Sequence, residues 1–414
     1  MSSRFLQIHT LTHYPACLLN RDDAGFAKRM PFGGAVRTRI SSQCLKRHWR
    51  VYDGENSLQT IDAPASVRSR VAFERFVVAP LVGAGIAEPM ARLATQKIVD
   101  TLFGSEGKRE KAQQKQAEQQ KKAGKKMADP GKESGTAPQE VATAQVTVLG
   151  KPELEYLRQL ALDAINAAGG VQEKLESIIA ERMKDKKLKE NIRALMPGSL
   201  EAGLGAALFG RMVTGDVLAA TDASIHVAHA MTVHAHMTES DYFTAVDDLV
   251  SEEGEQGSGH INASELTSGL FYGYVVVDVN GLVSNLGADR ALAGDVVHRL
   301  VHMICTVSPG AKKGSTAPYS YSHLVLVESG NRQPRTLQNA FIEPVRANGD
   351  LVQNAYAALR GYLAETDAMY GKAEQRAHAG LFTVERTEGR ESVIFDNRMT
   401  LPDLATWACA QVQA

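Results

Sequence analysis

The stretch FGGAVRTRISSQCLKRHWR, residues 32–50, holds the signals for a turn, a strand and a helix within nineteen residues. Its two glycines precede residues 35–41, where apolar and polar side chains alternate as in a β-strand. We expect one side of this strand to carry Val36, Thr38 and Ile40, and the other side to carry Arg37 and Arg39. The two arginines would then lie about 7 Å apart, close to the spacing of phosphates along a nucleic-acid strand.

A helix is expected directly after this strand. Ser41 or Ser42 is typical of a helix N-cap, and the pattern predicts a helix through about Tyr52. Lys46 and Arg50 are four residues apart and therefore lie on one face of that helix. The free N–H groups of the first turn, together with a serine hydroxyl, form a natural binding site for an anion.

The charge of this region differs from that of the whole chain. The 414 residues carry a formal net charge of −1, so no global field draws the protein to nucleic acid. Residues 32–50 nevertheless contain five Lys or Arg, and no acidic residue occurs between 24 and 50. An ordinary solvated surface would intersperse acids among these cations, so the pattern favours binding of backbone phosphates.

Composition limits the class of protein. With 44% hydrophobic residues, the chain can bury a sizeable core and form two or three domains. Its four cysteines are scattered without a CxxC pair, which indicates a reducing compartment, and we expect a cytoplasmic protein. The most apolar window, residues 76–90, is shorter than about 18 residues and contains prolines, so no membrane span is expected.

The order of elements predicts an α+β fold of the ferredoxin-like, or RRM-type, class. Strands are expected at residues 5–11, 35–41, 270–279 and 323–328; a helical insertion fills about 57–210, and helices are expected at 291–307, 350–366 and 400–413. Within the insertion, residues 107–140 are rich in Lys and Gln and almost free of apolar residues. We interpret this segment as a solvated loop or loose helix, while a nucleic-acid-binding tail stays open.

Several other motifs in the sequence are candidate sites. Lys312 and Lys313 lie in the turn GAKKG, which either cradles a phosphate or is simply polar. The paired acids Asp22-Asp23 and Asp247-Asp248 could hold Mg²⁺, although such pairs commonly cap turns and helices. The histidines His226, His229, His234 and His236 do not have a standard zinc spacing. We therefore expect no metal and no cofactor.

Two apolar side chains stand in polar surroundings. Met212 lies in FGRMVTGD, and Phe243 with Thr244 lies between acidic residues in DYFTAVDDL. An aromatic residue in such a segment can stack on bases. From the residues alone, packing in a core is the stronger interpretation for both Met212 and Phe243.

The motifs CLLNRDD, FGGAVRTRISSQCLKR, GRMVTGD, DYFTAVDDL, GLFYGY and VSPGAKK, taken in order, resemble one family. The family is the Cascade backbone subunit of type I-E CRISPR systems, called CasC, the seventh Cas family, of the RAMP superfamily. The resemblance runs across nearly the whole chain and is weakest after residue 370. It differs at Ala35-Val36, where the family often carries more Lys or Arg, and in the longer segment 107–140.

The resemblance implies a non-enzymatic RNA-binding protein shaped like a right hand. Its parts would be a palm (1–56, 206–235 and 269–414 with its C-terminal helices), helical fingers (57–205) and a thumb (236–268). Copies of the family polymerise along a CRISPR RNA, kink it at intervals and present it for pairing with target DNA in an R-loop. The implied partners are CRISPR RNA, target DNA, other copies of the chain and other Cascade subunits, with no membrane.

The resemblance also implies roles for residues that match the motifs. Contacts to the guide backbone would come from Arg21, Lys28, Ser41, Gln43, Lys46 and Arg50. Met212 would lie beside the kinked nucleotide, and Phe243 with Thr244 would wedge into the guide–target duplex. For Met212 and Phe243 the resemblance therefore favours contact with nucleic acid over packing in a core. One alternative stays open: a metal-dependent ribonuclease of the same superfamily, cutting target RNA with Asp22 or Asp23.

Overall fold

The computed structural model describes residues 3–103, 140–185, 187–212, 217–246, 258–381, 384–387, 390–393 and 397–414. For 243–246, 258–263, 384–387 and 390–393 it describes the backbone alone. Asp247-Asp248, and all of the segment 107–140 except its last residue, lie outside the described residues. Clustering of contacts divides the chain into two compact units, which are described separately. The first contains Met1–Ile61, Ile225–Asn280 and Arg290–Ala414, and the second contains Asp62–Ser224 and Gly281–Asp289.

The strands are numbered in chain order. They are β1 Phe5–Cys17, β2 Arg29–Phe32, β3 Ala35–Ile40, β4 Ser66–Ser69, β5 Thr147–Gly150, β6 Ile225–Val227, β7 Ala230–Thr232, β8 Thr238–Val246, β9 Ser258–Asp278, β10 Ser322–Gly330, β11 Gln375–Gly380, β12 Val384–Thr387 and β13 Arg390–Val393.

The helices are numbered in the same way, and three short 3₁₀ turns and one π-helical turn complete the elements. The α-helices are α1 Ser42–Val51, α2 Ala79–Gly83, α3 at 88–103, α4 Lys151–Ala168, α5 Gln172–Met183, α6 Lys187–Arg193, α7 Leu204–Phe209, α8 Val279–Asn285, α9 Arg290–Thr306, α10 Lys313–Thr316, α11 Leu351–Tyr370 and α12 Leu401–Gln413. The other turns are Leu58–Thr60, Glu74–Val78, Leu200–Ala202 and Gln338–Phe341.

A ferredoxin-like sheet forms the centre of the first unit. Its neighbours run β11-β10-β1-β9-β7-β3-β2, with β6 and β8 also paired to β9. Every pairing in this sheet is antiparallel, and β10-β1-β9-β6/β7 is the order 4-1-3-2 of that fold. Helix α1 lies between β1 and β6 in the chain, and α9 lies between β9 and β10, as two crossovers require. The expected fold class is confirmed.

Helices and turns cover both faces of this sheet. On one face Tyr14, Ile40 and Phe271 pack with residues of α1. On the opposite face Leu11, Tyr272 and Leu326 pack with α11 and the turn Gln338–Phe341. Because both faces are covered, the central strands are buried without alternation, from Phe5 to Thr12 in β1 and from Leu324 to Ser329 in β10.

The second unit is mostly helical and has its own core. Helix α4 buries Leu154, Leu157 and Ala161, spaced three and four residues apart, which is the stripe expected of an amphipathic helix. At its start the Gly150 N–H donates to the Glu153 carboxylate (2.9 Å). The helix ends at Gly169, whose φ of +57° is the left-handed conformation that favours glycine.

Candidate nucleic-acid interface

Helix α1 begins where the sequence predicted it. Ser41 is the N-cap, and its Oγ accepts a hydrogen bond from the Cys44 N–H (3.3 Å). The Ser41 N–H in turn donates to the Asn20 side-chain oxygen (2.9 Å), so the cap is fixed to the end of the segment that follows β1. No acidic residue occupies the first turn of α1, which leaves the positive end of the helix dipole without a local counter-charge.

The loop between β1 and β2 lies against this helix start through backbone hydrogen bonds. The Lys28 N–H donates to the Asn20 carbonyl (2.9 Å), and the Arg39 N–H donates to the Lys28 carbonyl (2.7 Å). Lys28 is therefore fixed between the start of its own loop and strand β3. Lys28 of the loop and Arg39 of β3, both predicted to bind phosphate, are therefore joined by a backbone hydrogen bond.

Lys28, Arg39 and His229 lie together near the start of α1. One Arg39 guanidinium nitrogen lies 2.9 Å from His229 Nδ1. Burial lowers the pKa of His229, and the charges of Arg39 and Lys28 lower it further. Burial raises the pKa of the Cys44 thiol, and Arg47 and Lys28 oppose that rise. The charge of Lys28 therefore acts on His229, which directly precedes β7, and on Cys44 of helix α1.

The basic turn before α10 joins the same region. The Ala311 N–H donates to the Leu18 carbonyl (2.9 Å), which brings the turn to the end of β1. Burial lowers the pKa of His48; a hydrogen bond with the Cys44 carbonyl raises it, and Lys313 and Arg47 lower it. Lys313 is thus close enough to α1 for its charge to act on a helix residue 265 positions earlier in the chain.

We call these five residues the α1 cation cluster: Lys28, Arg39, Arg47, His229 and Lys313. No acidic group contributes to the pKa of His229, His48 or Cys44 among the described residues. Positive charge at the start of a helix, without internal acids, is the arrangement that binds phosphate. Arginine and lysine side chains contact phosphate oxygens without recognising a base sequence.

The prediction for Arg37 is wrong. The Arg37 side chain does not face solvent: its exposed fraction is 0%, while the neighbouring Val36 is 46% exposed. The guanidinium donates to the carbonyls of Phe32 (3.2 Å), Thr232 (3.2 Å), Phe341 (2.8 Å) and Ile342 (3.2 Å). The reason is tertiary. Two of these carbonyls lie at the end of a 3₁₀ turn that covers the second face of the sheet, and they need donors.

The other predicted backbone contacts lie around α1. Arg21 is exposed and forms an isolated bridge with Ala27, and Gln43 is exposed on the first turn of the helix. Ser42, Lys46 and Arg50 are partly exposed on α1. Lys312 is partly exposed beside Lys313, and its carbonyl accepts a hydrogen bond from the Thr316 hydroxyl (2.8 Å). Their roles in binding stay predictions.

The two predicted wedge segments lie in different units. Met212 belongs to the second unit and is fully exposed, so it is not part of a core. It directly follows Arg211, which is 4% exposed and pairs with the buried Glu153 carboxylate (2.6 Å). Phe243 and Thr244 belong to strand β8 of the first unit, where Phe243 is opposite Asn262. Their side chains lie outside the described residues.

Asp22 and His234, two of the alternative metal candidates, take part in hydrogen bonds within the chain. Asp22 Oδ1 accepts hydrogen bonds from the N–H groups of Ala24 (3.0 Å) and Phe26 (2.9 Å), so this carboxylate closes a turn. His234 makes a contact with the Ala235 carbonyl (2.7 Å) through Nδ1 and accepts the Leu270 N–H through Nε2 (3.1 Å). In the described ranges, no group of three His, Cys, Asp or Glu residues is arranged to hold a metal.

Sequence reasoning missed Arg47, His48 and His229 as members of the region. Arg47 lies on α1 four residues after Gln43 and one before His48, so helical spacing was the available signal. The sequence pattern places His229 among the histidines that are metal candidates. Its place beside Arg39 depends on the pairing of β3 with β7, which joins residues 190 positions apart.

The described part of the chain contains no helix long and apolar enough to cross a membrane.

Two solved structures share this fold. One, titled "CRISPR RNA-guided surveillance complex, pre-nicking", matches with a TM-score of 0.75 and 24% identity, over 99% of this chain and 100% of that chain. Another, titled "CRISPR RNA-guided surveillance complex", has a TM-score of 0.55 and 20% identity, over 98% of each chain. No curated protein matches the sequence significantly. Residues 6–407 match the Cas_CT1975 family model, described as "CT1975-like protein". The chain therefore belongs to the CT1975-like protein family.

Proposed function

We propose that this chain is a guide-RNA-binding backbone subunit of a CRISPR surveillance complex of the Cascade type. The observation that carries the proposal is the α1 cation cluster, which gathers four cations and His229 from three separate parts of the chain, with no acid among the described groups that shift the pKa of His229. Family membership across residues 6–407 and the titles of the two similar structures support the same assignment.

The way in which RNA would bind depends on whether the face of the sheet or the α1 cation cluster is exposed. An RRM-type sheet that binds RNA displays aromatic residues on an open face. Here that face is covered, since Tyr272 of β9 is 1% exposed and packs in one cluster with Phe341 of the turn Gln338–Phe341 and Tyr356 of α11. Binding would therefore rely on phosphates and 2′-hydroxyls at the α1 cation cluster, which leaves the base edges free. A guide carrier needs this indifference, because base pairing supplies the sequence recognition.

The finer assignment is a type I-E subunit of the CasC family that acts without chemistry of its own. Copies would assemble along the spacer, with Arg21, Lys28, Ser41, Gln43, Lys46 and Arg50 contacting the backbone. Met212, fully exposed, would lie beside a kinked nucleotide. Phe243 and Thr244 would lie at the guide–target duplex, and the partners would be target DNA and other Cascade subunits.

The test is to express the full chain with a CRISPR repeat-spacer transcript and measure binding and particle size. We expect binding that is independent of spacer sequence and particles that grow with spacer length. In the double variant Lys46→Ala with Arg50→Ala, affinity should fall equally for all spacers, and the salt slope should decrease by about 0.7 per lost phosphate contact. No binding of CRISPR transcripts at about 0.1 M salt would refute the proposal.

Two further measurements separate this function from its alternatives. The assembled particle is incubated with complementary RNA and Mg²⁺, and no regular cleavage is expected; cleavage abolished by Asp23→Ala would instead establish a ribonuclease. In Phe243→Ala, assembly should persist while formation of the hybrid with target DNA weakens. Loss of assembly in that variant would make Phe243 a structural residue.

A further inference from the structure

The hairpin of β8 and β9 extends beyond the central sheet. Strand β9 pairs with β1 from Asp278 back to Thr267, and its residues from Leu266 back to Ser258 pair with β8. We call β8 and residues 258–266 the hairpin extension. A two-stranded ribbon is marginally stable by itself, so its direction depends on contacts where it leaves the sheet.

Glu265 lies at that point and is only 9% exposed. Its carboxylate accepts a hydrogen bond from the buried Ala27 N–H (2.5 Å) and pairs with the Arg29 guanidinium (3.0 Å). The Thr238 hydroxyl on the opposite strand of the hairpin donates to the same carboxylate (2.9 Å). One side chain therefore joins the loop that carries Lys28 to both strands of the hairpin extension.

His236 links this junction to strand β3. Its Nδ1 lies 2.6 Å from the Thr38 hydroxyl, and its backbone N–H donates to the Val36 carbonyl (2.7 Å). Its Nε2 lies 3.7 Å from the Glu265 carboxylate. Loop, hairpin and β3 thus converge on the single acidic group Glu265.

An acid in this position is unexpected if charge alone matters. Residues 24–50 contain no acid, and a carboxylate near a phosphate-binding surface repels the phosphates. Glu265 avoids that cost because Arg29 neutralises it and because it is largely buried. Arg29 is then the internal partner of Glu265 and serves the loop instead of the ligand.

We propose that Glu265 is a positioning residue that fixes the Lys28 loop to the base of the hairpin extension, so that both hold the guide RNA as one unit. The proposal rests on the proposed function. Simple electrostatics predicts that removing a negative charge strengthens the binding of RNA. The proposal predicts that removing the charge of Glu265 weakens it, whereas removing a negative charge elsewhere on the hairpin does not.

The decisive comparison is Glu265→Gln against Glu239→Gln in the full chain. Glu239 is exposed on β8, so its variant removes the same charge from the same hairpin. The amide at 265 presents only one acceptor oxygen to three donors. We expect guide affinity to fall about tenfold in Glu265→Gln, equivalent to about 1.4 kcal/mol, and to stay constant or rise in Glu239→Gln. Equal affinities of Glu265→Gln and wild type would overturn the proposal.

Hydrogen exchange without RNA tests the contact itself. The Ala27 amide should exchange about tenfold faster in Glu265→Gln than in wild type or Glu239→Gln. If wild type binds no guide, the proposed function fails first, whatever the exchange result. If wild type binds and Ala27 exchange is unchanged in Glu265→Gln, only the positioning role fails.

A milder variant covers the case in which Glu265→Gln does not fold. Thr238→Val removes one donor to the carboxylate and keeps the shape of a β-branched side chain. We expect a two- to threefold loss of guide affinity, roughly, with an unchanged melting temperature. Full wild-type affinity in Thr238→Val, together with unchanged Ala27 exchange, would overturn the positioning role.

Discussion

Two groups of charged residues in the first unit differ in one respect. No acid is among the groups that shift the pKa of His229 in the α1 cation cluster or of the neighbouring His48. The second group surrounds Glu328 on the face covered by α11, where an acid is enclosed by cations. Both groups use arginine and histidine, yet one is open to solvent ligands and the other is closed.

In the closed group, the group around Glu328, the carboxylate has three partners within the chain. The Glu328 carboxylate lies 3.2 Å from His9 Nε2, 2.7 Å from the Arg335 guanidinium and 2.5 Å from the Arg376 guanidinium, and its side chain is 0% exposed. Burial by itself raises the pKa of Glu328, but hydrogen bonds from His9 and Arg335 hold it well below its usual range. Arg376 also pairs with Asp367.

The difference teaches that the location of the counter-ion decides the role of a cation. Where the counter-ion is an internal carboxylate, the pair holds elements together and its loss leaves a buried charge. Where no internal carboxylate exists, the surface stays ready for an external anion. Arg37 is an intermediate case, since its partners are neutral carbonyls, and it belongs with the structural group.

The largest effect is expected at the centre of the closed group. Glu328→Gln leaves the buried Arg376 guanidinium and the partly exposed Arg335 guanidinium without this carboxylate partner, so we expect a loss of about 3 kcal/mol in the free energy of unfolding. Urea denaturation measures this loss. Glu343→Gln, at an exposed acid, is the control and should change stability by less than about 0.5 kcal/mol. The salt slope of guide binding should be unchanged in the folded fraction.

Two neighbouring arginines on β3 should behave differently. Arg37→Met removes the Arg37 donor from four carbonyls, two of them in buried hydrogen bonds, so we expect a loss of about 2 kcal/mol in unfolding free energy. Arg39→Met should leave stability within about 0.5 kcal/mol and weaken guide binding. Denaturation and binding are measured on both variants. The reverse pattern would contradict the division between closed and open groups.

The open group should respond to salt. Arg47→Ala with Lys313→Ala should lower the slope of log affinity against log salt by about 1.4 for single-stranded RNA, because two phosphate contacts are lost. The control is Lys97→Ala with Arg158→Ala, whose cations pair with Glu176 (2.7 Å) and Glu155. That control should keep the wild-type slope. Equal slopes in the two double variants would show that these cations do not contact the guide.

The smallest effect is a dependence on pH. Burial and the charges of Arg39 and Lys28 lower the pKa of His229, so the free protein carries it neutral at pH 7. A bound phosphate raises that pKa, so guide affinity should increase as pH falls below about 6.5. We expect a gain of about threefold in affinity. His229→Asn should flatten the profile measured between pH 5.5 and 7.5.

The free protein should show the opposite trend in stability. Because the pKa of His229 is lower in the folded state than in the unfolded state, the unfolded chain binds more protons near pH 6. The free energy of unfolding should therefore decrease as pH falls through about 6.5. The difference in thermal denaturation between wild type and His229→Asn, without RNA, measures this contribution. An identical pH dependence of stability in the two proteins would contradict it.

Local patterns predicted most of the elements around the site. The strand at 35–41, the N-cap at Ser41 and the helix that follows are all present, because hydrophobic period and capping act within a few residues. The order of strands and helices also predicted the ferredoxin-like class. The pattern predicted the alternation along β3 but could not reveal that the turn Gln338–Phe341 covers the Arg37 side chain.

The sequence by itself determined that cations without acids gather before and within α1, since residue types and helical spacing are local properties. Only the tertiary structure decided which of those cations are available. It buried Arg37 under carbonyls from a turn about 300 residues later, brought His229 to Arg39 through strand pairing, and placed Lys313 near α1. The physical reason is that burial and the identity of a counter-ion depend on contacts between distant segments, which no short stretch of sequence contains.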